Sequence, residues 1–244
     1  MIIGLLVISA IAFFISFIYI DKMTTRLIAT GIAGVILIIS LFAIVDNYHS
    51  HYGMEKVETV KTQQIYSADR TGRLDMLLFQ PIGTAGKENV YIYSKHDDSK
   101  KVSHTQANEF TTSHVKQHNA DKAELKTTEI RWRYKSKAYR FWFGIADNNH
   151  ILVKRTNTFY LPKNWHTLST SQAKMLQQKL TSSEFKQQAK TQAAEFIGNK
   201  MKAAMSKNPE LMTNKTKQAA LQKQLTAEFQ AQLIEKTISD IENH

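Results

Sequence analysis

Five cations and six aromatic side chains crowd into the fourteen residues Ile130–Phe143. On an extended strand, alternate side chains point to opposite faces. Ile130, Trp132 and Tyr134 would then share one face, and Arg131, Arg133 and Lys135 the other. A return strand over Tyr139–Gly144 would bring Lys137 and Arg140 alongside. Such a hairpin could hold anions by electrostatics: a wall polymer such as teichoic acid, lipid headgroups, or nucleic acid if it faced the cytoplasm. The plainer reading is an amphipathic hairpin whose cations simply face water. The candidate binding residues are Arg131, Trp132, Arg133, Lys135, Lys137 and Arg140.

Residues for other chemistry are poorly arranged. His114 and His118 are four apart, but Val115 stands where a zinc peptidase needs the glutamate that acts as general base. His49 and His51 follow an apolar run beside Asp46, and His96 adjoins Asp97. All of these are read as solvated or interfacial. Pro81–Lys87 is glycine-containing but lacks the phosphate-loop spacing, and Glu88 occupies the Ser/Thr position. There is no G-x-S-x-G elbow. With no cysteine, there is neither a thiol nucleophile nor a disulfide nor a cysteine-ligated metal. Only convergence of Asp69, Asp75, Asp97 and Glu109 would suggest an enzyme. No catalytic residue, metal or cofactor is assigned.

The elements that must carry these residues fall into three stretches. Residues 55–166 are rich in Thr, Tyr, Val and Ile and read as short strands: Val57–Thr62 with Ile65-Tyr66, Leu74–Gln80, Val90–Tyr93, two weaker ones within Lys101–Lys116, then Thr128–Tyr134, Tyr139–Gly144 and Ile151–Leu161. Turn residues separate them at Ser67–Gly72, Pro81–Gly83 and His96–Lys101. That spacing predicts an antiparallel β-rich domain, sandwich-like or barrel-like. Residues 167–244 change to Lys, Gln, Ala and Leu, with apolar residues at helical spacing and a break at Asn208-Pro209. Thr181-Ser182-Ser183-Glu184 has the spacing of a capping box. This basic tail is expected to form two or three helices, packed as an antiparallel pair or used for self-association.

Before both lie the runs Ile2–Ile20 and Leu27–Val45, each 19 residues without a charge. At ~1.5 Å per residue each would reach about 28 Å, close to the ~30 Å hydrocarbon core of a bilayer. Residues 1–48 therefore read as a transmembrane hairpin, with Ala12/Ser16 and Thr30/Gly34 as small residues that permit close helix approach. The first run lacks a basic leader and is long for a cleaved signal. Lys22 and Arg26 in the six-residue connection favour a cytoplasmic loop and an extracytoplasmic main domain. The fold class is thus α+β and membrane-anchored. A net charge of +11 beside a membrane favours anionic neighbours.

Ile65-Tyr66-Ser67, Gln80–Tyr93 and Leu152–Pro162, placed after two spans, resemble an uncharacterised family of two-span membrane proteins of lactobacilli and related Gram-positive bacteria. That family is built around a domain of unknown function. The resemblance covers nearly the full chain, best over residues 1–180. It implies a Gram-positive cytoplasmic membrane and carries over no activity and no site residues. The expectation is a non-enzymatic, membrane-anchored surface or accessory protein that contacts the bilayer, an anionic wall polymer or another membrane protein, with self-association through 168–244. The alternative is a subunit of a transporter-like assembly; below it stands a cell-envelope enzyme.

Overall fold

The charge-free runs become two helices, α1 (Ile2–Tyr19) and α2 (Met23–His49), each long and apolar enough to cross a bilayer. A computed structural model describes residues 1–69, 74–83, 88–97, 101–208 and 210–242. The helices pack antiparallel along small residues. Ser9, Ser16, Ala33 and Ser40 are buried in the seam, and Ser16 and Thr30 hydroxyls meet at 3.2 Å. A methyl group on Gly34 would stand 3.3 Å from the Phe13 ring, so glycine sets the closeness there. The outer faces stay apolar and exposed, as at Phe14, Phe17, Ile39 and Phe42.

The chain divides into two compact units, residues 1–65 with 106–163 and residues 66–105 with 164–244. The first unit joins the hairpin to a sheet of β1 (Met54–Gln64), β5 (Thr111–Gln117), β6 (Glu124–Tyr134) and β7 (Leu152–Leu161), in the order β1-β6-β7-β5. β1 and β6 pair antiparallel from Met54↔Tyr134 to Gln64↔Glu124. β6 and β7 are also antiparallel, whereas β5 and β7 run parallel. Phe159, Leu161 and Ile65 are its most buried apolar side chains, with Leu125 and the polar Asn157 also buried. Asn157 accepts from the Thr127 hydroxyl (3.1 Å) and donates to Ser113 Oγ (3.4 Å).

The second unit holds β2 (Met76–Ile82), β3 (Glu88–Tyr93), β4 (Ser103–His104) and β8 (His166–Ser169), ordered β4-β3-β2-β8. β2 and β8 are parallel. Four helical segments follow: α4 (Thr170–Thr181), α5 (Ser183–Lys207), α6 (Glu210–Thr213) and α7 (Lys215–Glu242). Leu168, Leu176, Ile238 and Ile241 form the core, packed against Leu74, Leu78 and Leu180. α5 and α7 lie antiparallel, joined by Phe196 against Phe229 (5.5 Å between centroids) and Lys200 to Glu228 (2.9 Å).

Three expectations are corrected. The strands do not make an antiparallel sandwich or barrel; they form two mixed four-stranded sheets with no closed barrel. Alternation predicts a strand but not the direction of its neighbour, and a parallel neighbour must come from a distant crossover. Tyr139–Gly144 is not a strand, because β6 is already flanked by β1 and β7 and has no free edge for a return strand. The capping box is not Thr181/Glu184. Thr181 ends α4, Ser182 caps α5 by accepting from Phe185 N–H (3.2 Å), and the reciprocal box is Ser169 with Gln172 at the start of α4. The expected features at Ser67–Gly72, Pro81–Lys87, His96–Lys101 and Pro209 lie partly or wholly outside the described residues.

Candidate functional site: a collar at the open end of the hairpin

Ser136 ends the β6 ladder and caps a short helix, α3 (Lys137–Phe143), its hydroxyl accepting from Tyr139 N–H (3.4 Å). A 3₁₀ turn over Gly144–Ala146 closes it. The Met1 nitrogen donates to Phe141 O and Trp142 O at 2.8 Å each, so α3 sits at the start of α1. α3 is thus fixed beside the end of the hairpin that also carries the exit from α2.

That exit is built from His51 and Gly53, both at positive φ (57° and 78°). At Gly53 glycine is required twice over: by φ, and because a Cβ there would meet the Tyr139 ring at 2.3 Å. Gly53 O accepts from Lys135 N–H (3.0 Å), which ties the α2 exit to the end of β6. Tyr52 packs edge-on to Tyr139 and Phe143. Its phenol is raised above the usual range, first by its hydrogen bond to Tyr139.

Beneath these rings runs a buried amide chain. Asn47, 1% exposed, donates from Nδ2 to Tyr52 O (2.7 Å) and accepts at Oδ1 from Asn148 Nδ2 (2.9 Å). The Tyr134 hydroxyl sits between Phe143 O (2.9 Å) and Asn148 Oδ1. Burial holds the Tyr134 phenol up in its neutral, donating form, and Asp147 adds to this. Every member of this chain has a partner, the condition under which a buried polar network stabilises a fold.

The six candidate binding residues part company around this collar. The return strand expected to bring Lys137 and Arg140 beside the β6 cations does not form. Arg131 is half-buried, its Nε 2.7 Å from Glu129 and its Nη1 2.9 Å from His150 O. Arg155 reaches the other Glu129 oxygen from β7, also at 2.7 Å. Hydrogen bonding from Arg131 leads the effects that hold the Glu129 carboxyl below its usual range. Trp132 is occupied as well: His51 stacks on it at 4.1 Å, and Lys56 Nζ lies 5.1 Å from its ring centre. Arg133 and Lys135 are exposed at the end of β6, and Lys137 and Arg140 are exposed on α3 rather than on a return strand. These four carry no ion pair among the described residues. Next to them Phe141 (60%), Trp142 (40%) and Ile145 (64%) are exposed. A cavity of about 300 Å³ between α1 and α3 is walled by Ile2, Leu5, Tyr52, Ala138, Tyr139 and Trp142.

A family model for a domain of unknown function, DUF4811, matches residues 22–176. The chain belongs to this family. The DUF4811 match begins just before α2, ends within α4, and contains every collar residue except those of α1. Comparison with curated proteins and with solved structures finds no match.

Asp69 accepts from Leu74 N–H (3.2 Å), Asp75 accepts from Asn164 (3.0 Å), and Asp97 and Glu109 are exposed. His114 lies on β5 and His118 just past its end, so the pair is not on a helix. Among the described residues no cluster of three or more His, Cys, Asp or Glu is placed to hold a metal. The amide chain and Gly53 were missed by sequence reading. The available signals were Asn47 two residues after an apolar run, and the Asp147-Asn148-Asn149 turn cluster.

Proposed function

We propose that this chain is a non-enzymatic accessory protein anchored by a two-helix membrane span, whose collar docks on anionic lipid headgroups of its own bilayer. One observation carries this reading. Phe141, Trp142 and Ile145 are exposed beside four cations, Arg133, Lys135, Lys137 and Arg140, that carry no ion pair among the described residues, at the very end of the apolar hairpin. Aromatic side chains favour the headgroup level, and cations near it gain on the order of 1 kcal/mol each from an anionic leaflet. Wall polymer is less well supported, since Arg131 and Trp132, the centre of the expected polymer surface, are engaged internally. Lys22 and Arg26 support a cytoplasmic connection and an extracytoplasmic main domain. The resemblance to two-span proteins of lactobacilli supports a Gram-positive cytoplasmic membrane.

The test is lipid retention by the full chain in mild detergent, read by native mass spectrometry. Phosphatidylglycerol should be retained over phosphatidylcholine. The preference should fall as salt passes ~0.15 M, and it should be lost in the Lys137→Ser/Arg140→Ser variant. Equal retention of the two lipids at low salt would end this reading.

A second reading has its own support. α5 is 25 residues long with no fully buried side chain, so a face of it is open to a protein partner. A subunit of a larger membrane assembly would co-purify with a stoichiometric partner, lost on deleting 168–244.

A further inference from the structure

The outer face of α2, where the apolar run gives way to polar residues, carries a groove of about 540 Å³. Its body is apolar, with Ile39, Phe42 and Val45; its mouth is polar, with Asp46, His49 and Ser50. The order of these residues along one helix is the order of a phospholipid: hydrocarbon first, then the headgroup. Over the 11 steps from Ile39 to Ser50, a rise of ~1.5 Å per residue gives about 16 Å, enough for the upper part of an acyl chain and its headgroup.

The mouth has a specific charge. Asp46 is exposed, and its carboxylate makes no hydrogen bond or ion pair among the described residues. In a chain of net charge +11 such a carboxylate, set one residue past the apolar run, is left for a cation from outside the protein. A carboxylate accepts only, and it takes its strongest bonds from N⁺–H donors. The Ser50 hydroxyl and the His49 ring, in the same mouth, can donate to a phosphodiester. Ammonium acceptor and phosphate donors together match a zwitterion of the phosphoethanolamine type.

The geometry points to this groove as a site for a phospholipid of the surrounding bilayer that bears a primary ammonium, with Asp46 taking the ammonium and His49 and Ser50 the phosphate. The inference rests on the membrane placement proposed above; the groove shares Tyr52 with the collar but uses none of its cations, which lie at the end of β6 and on α3. A quaternary ammonium keeps the charge but offers no N–H. A glycerol headgroup offers hydroxyls but no positive charge. The site therefore ranks phosphatidylethanolamine above phosphatidylcholine, and phosphatidylcholine above phosphatidylglycerol, at this groove.

Native mass spectrometry of the full chain, with each lipid added in turn to the same detergent, reads this directly. Wild type should retain phosphatidylethanolamine about fivefold over phosphatidylcholine, the upper end for an exposed charge pair. Asp46→Asn, near-isosteric at an exposed position, should abolish that preference while leaving phosphatidylglycerol retention unchanged. Lys137→Ser/Arg140→Ser should do the reverse. Equal wild-type retention of the amine and quaternary lipids overturns the assignment whatever the variants do. So does a preference that survives Asp46→Asn. Loss of phosphatidylglycerol selection alone would strike the collar reading and leave this site standing.

Discussion

Asn148 Nδ2 donates to Asn47 Oδ1 at 2.9 Å, joining the last turn of α2 to the turn that follows α3, 101 positions away in the sequence. Both side chains are buried, and each has a second partner. Through this bond the end of the hairpin and the end of the β6 strand share one polar core. A rigid joint of this kind would pass the hairpin's position directly to α3.

Breaking it should therefore cost more than one exposed hydrogen bond. Asn47→Ala leaves Asn148 Nδ2 buried without a partner and takes the donor from Tyr52 O, a loss of about 1–3 kcal/mol. Asn148→Ala should cost a similar amount. Because both variants remove the same bond, the double variant should fall short of their sum by ~0.5 kcal/mol or more. Thermal unfolding of the four proteins in one detergent closes this cycle.

Gly53→Ala meets two penalties at once, a positive φ of 78° and the Tyr139 ring 2.3 Å from the new Cβ. A destabilisation of about 1–3 kcal/mol is expected from backbone strain alone. Tyr139→Ala in the same chain should recover the steric part but not the conformational part. Thermal melts of the single and double variants separate the two.

The Glu129 carboxyl, held below its usual range chiefly by hydrogen bonding from Arg131, gives the fold an acid limb. Its ionised form is favoured in the folded chain. The stability it adds is fully present above the unfolded value of about 4.3 and is lost as pH falls through the lower folded value. Glu129→Gln should lower stability at neutral pH and flatten the loss between these two values. Unfolding midpoints taken across that window provide the measurement.

Arg131→Ser should separate structure from docking. It removes the guanidinium that bonds both Glu129 and His150 O, so stability should drop by about 1–3 kcal/mol. Phosphatidylglycerol retention by the folded fraction should stay within twofold of wild type, by the order of magnitude expected for a cation already paired. A large loss of lipid selection with intact stability would return Arg131 to the binding surface.

The absence of cysteine makes orientation directly measurable. Thr62→Cys, exposed on β1, should react with a membrane-impermeant maleimide in intact cells if the main domain is extracytoplasmic. Reaction only after lysis would reverse the orientation and bring nucleic acid back as a partner to test.

What was legible in the sequence is what short-range physics dictates. Runs without charge had to become apolar helices, and the 3.6-residue spacing through Leu225, Ile238 and Ile241 marked the buried stripe of α7. β1, β6 and β7 were visible from alternation. What remained hidden depended on partners far away in the chain. Tyr139–Phe143 is aromatic enough for a strand, and becomes a helix because both edges of β6 are already taken. Arg131 looked like a free cation until Glu129 and Arg155 were brought together across β6 and β7. Nothing in the sequence around Asn47 names its partner. Only the fold brings Asn148 to it.

If the collar docks on the bilayer, α3 and its flanking turn lie at the membrane surface while β1 stands in water. Nitroxide spin labels on Ile145→Cys and on Thr62→Cys, in the full chain reconstituted in nanodiscs, measure this through relaxation by oxygen, which enters the membrane, and by a nickel chelate, which does not. The label at 145 should respond to oxygen far more than to nickel, and the label at 62 to nickel. If nickel relaxes both labels equally, the collar is not at the membrane and the docking account fails.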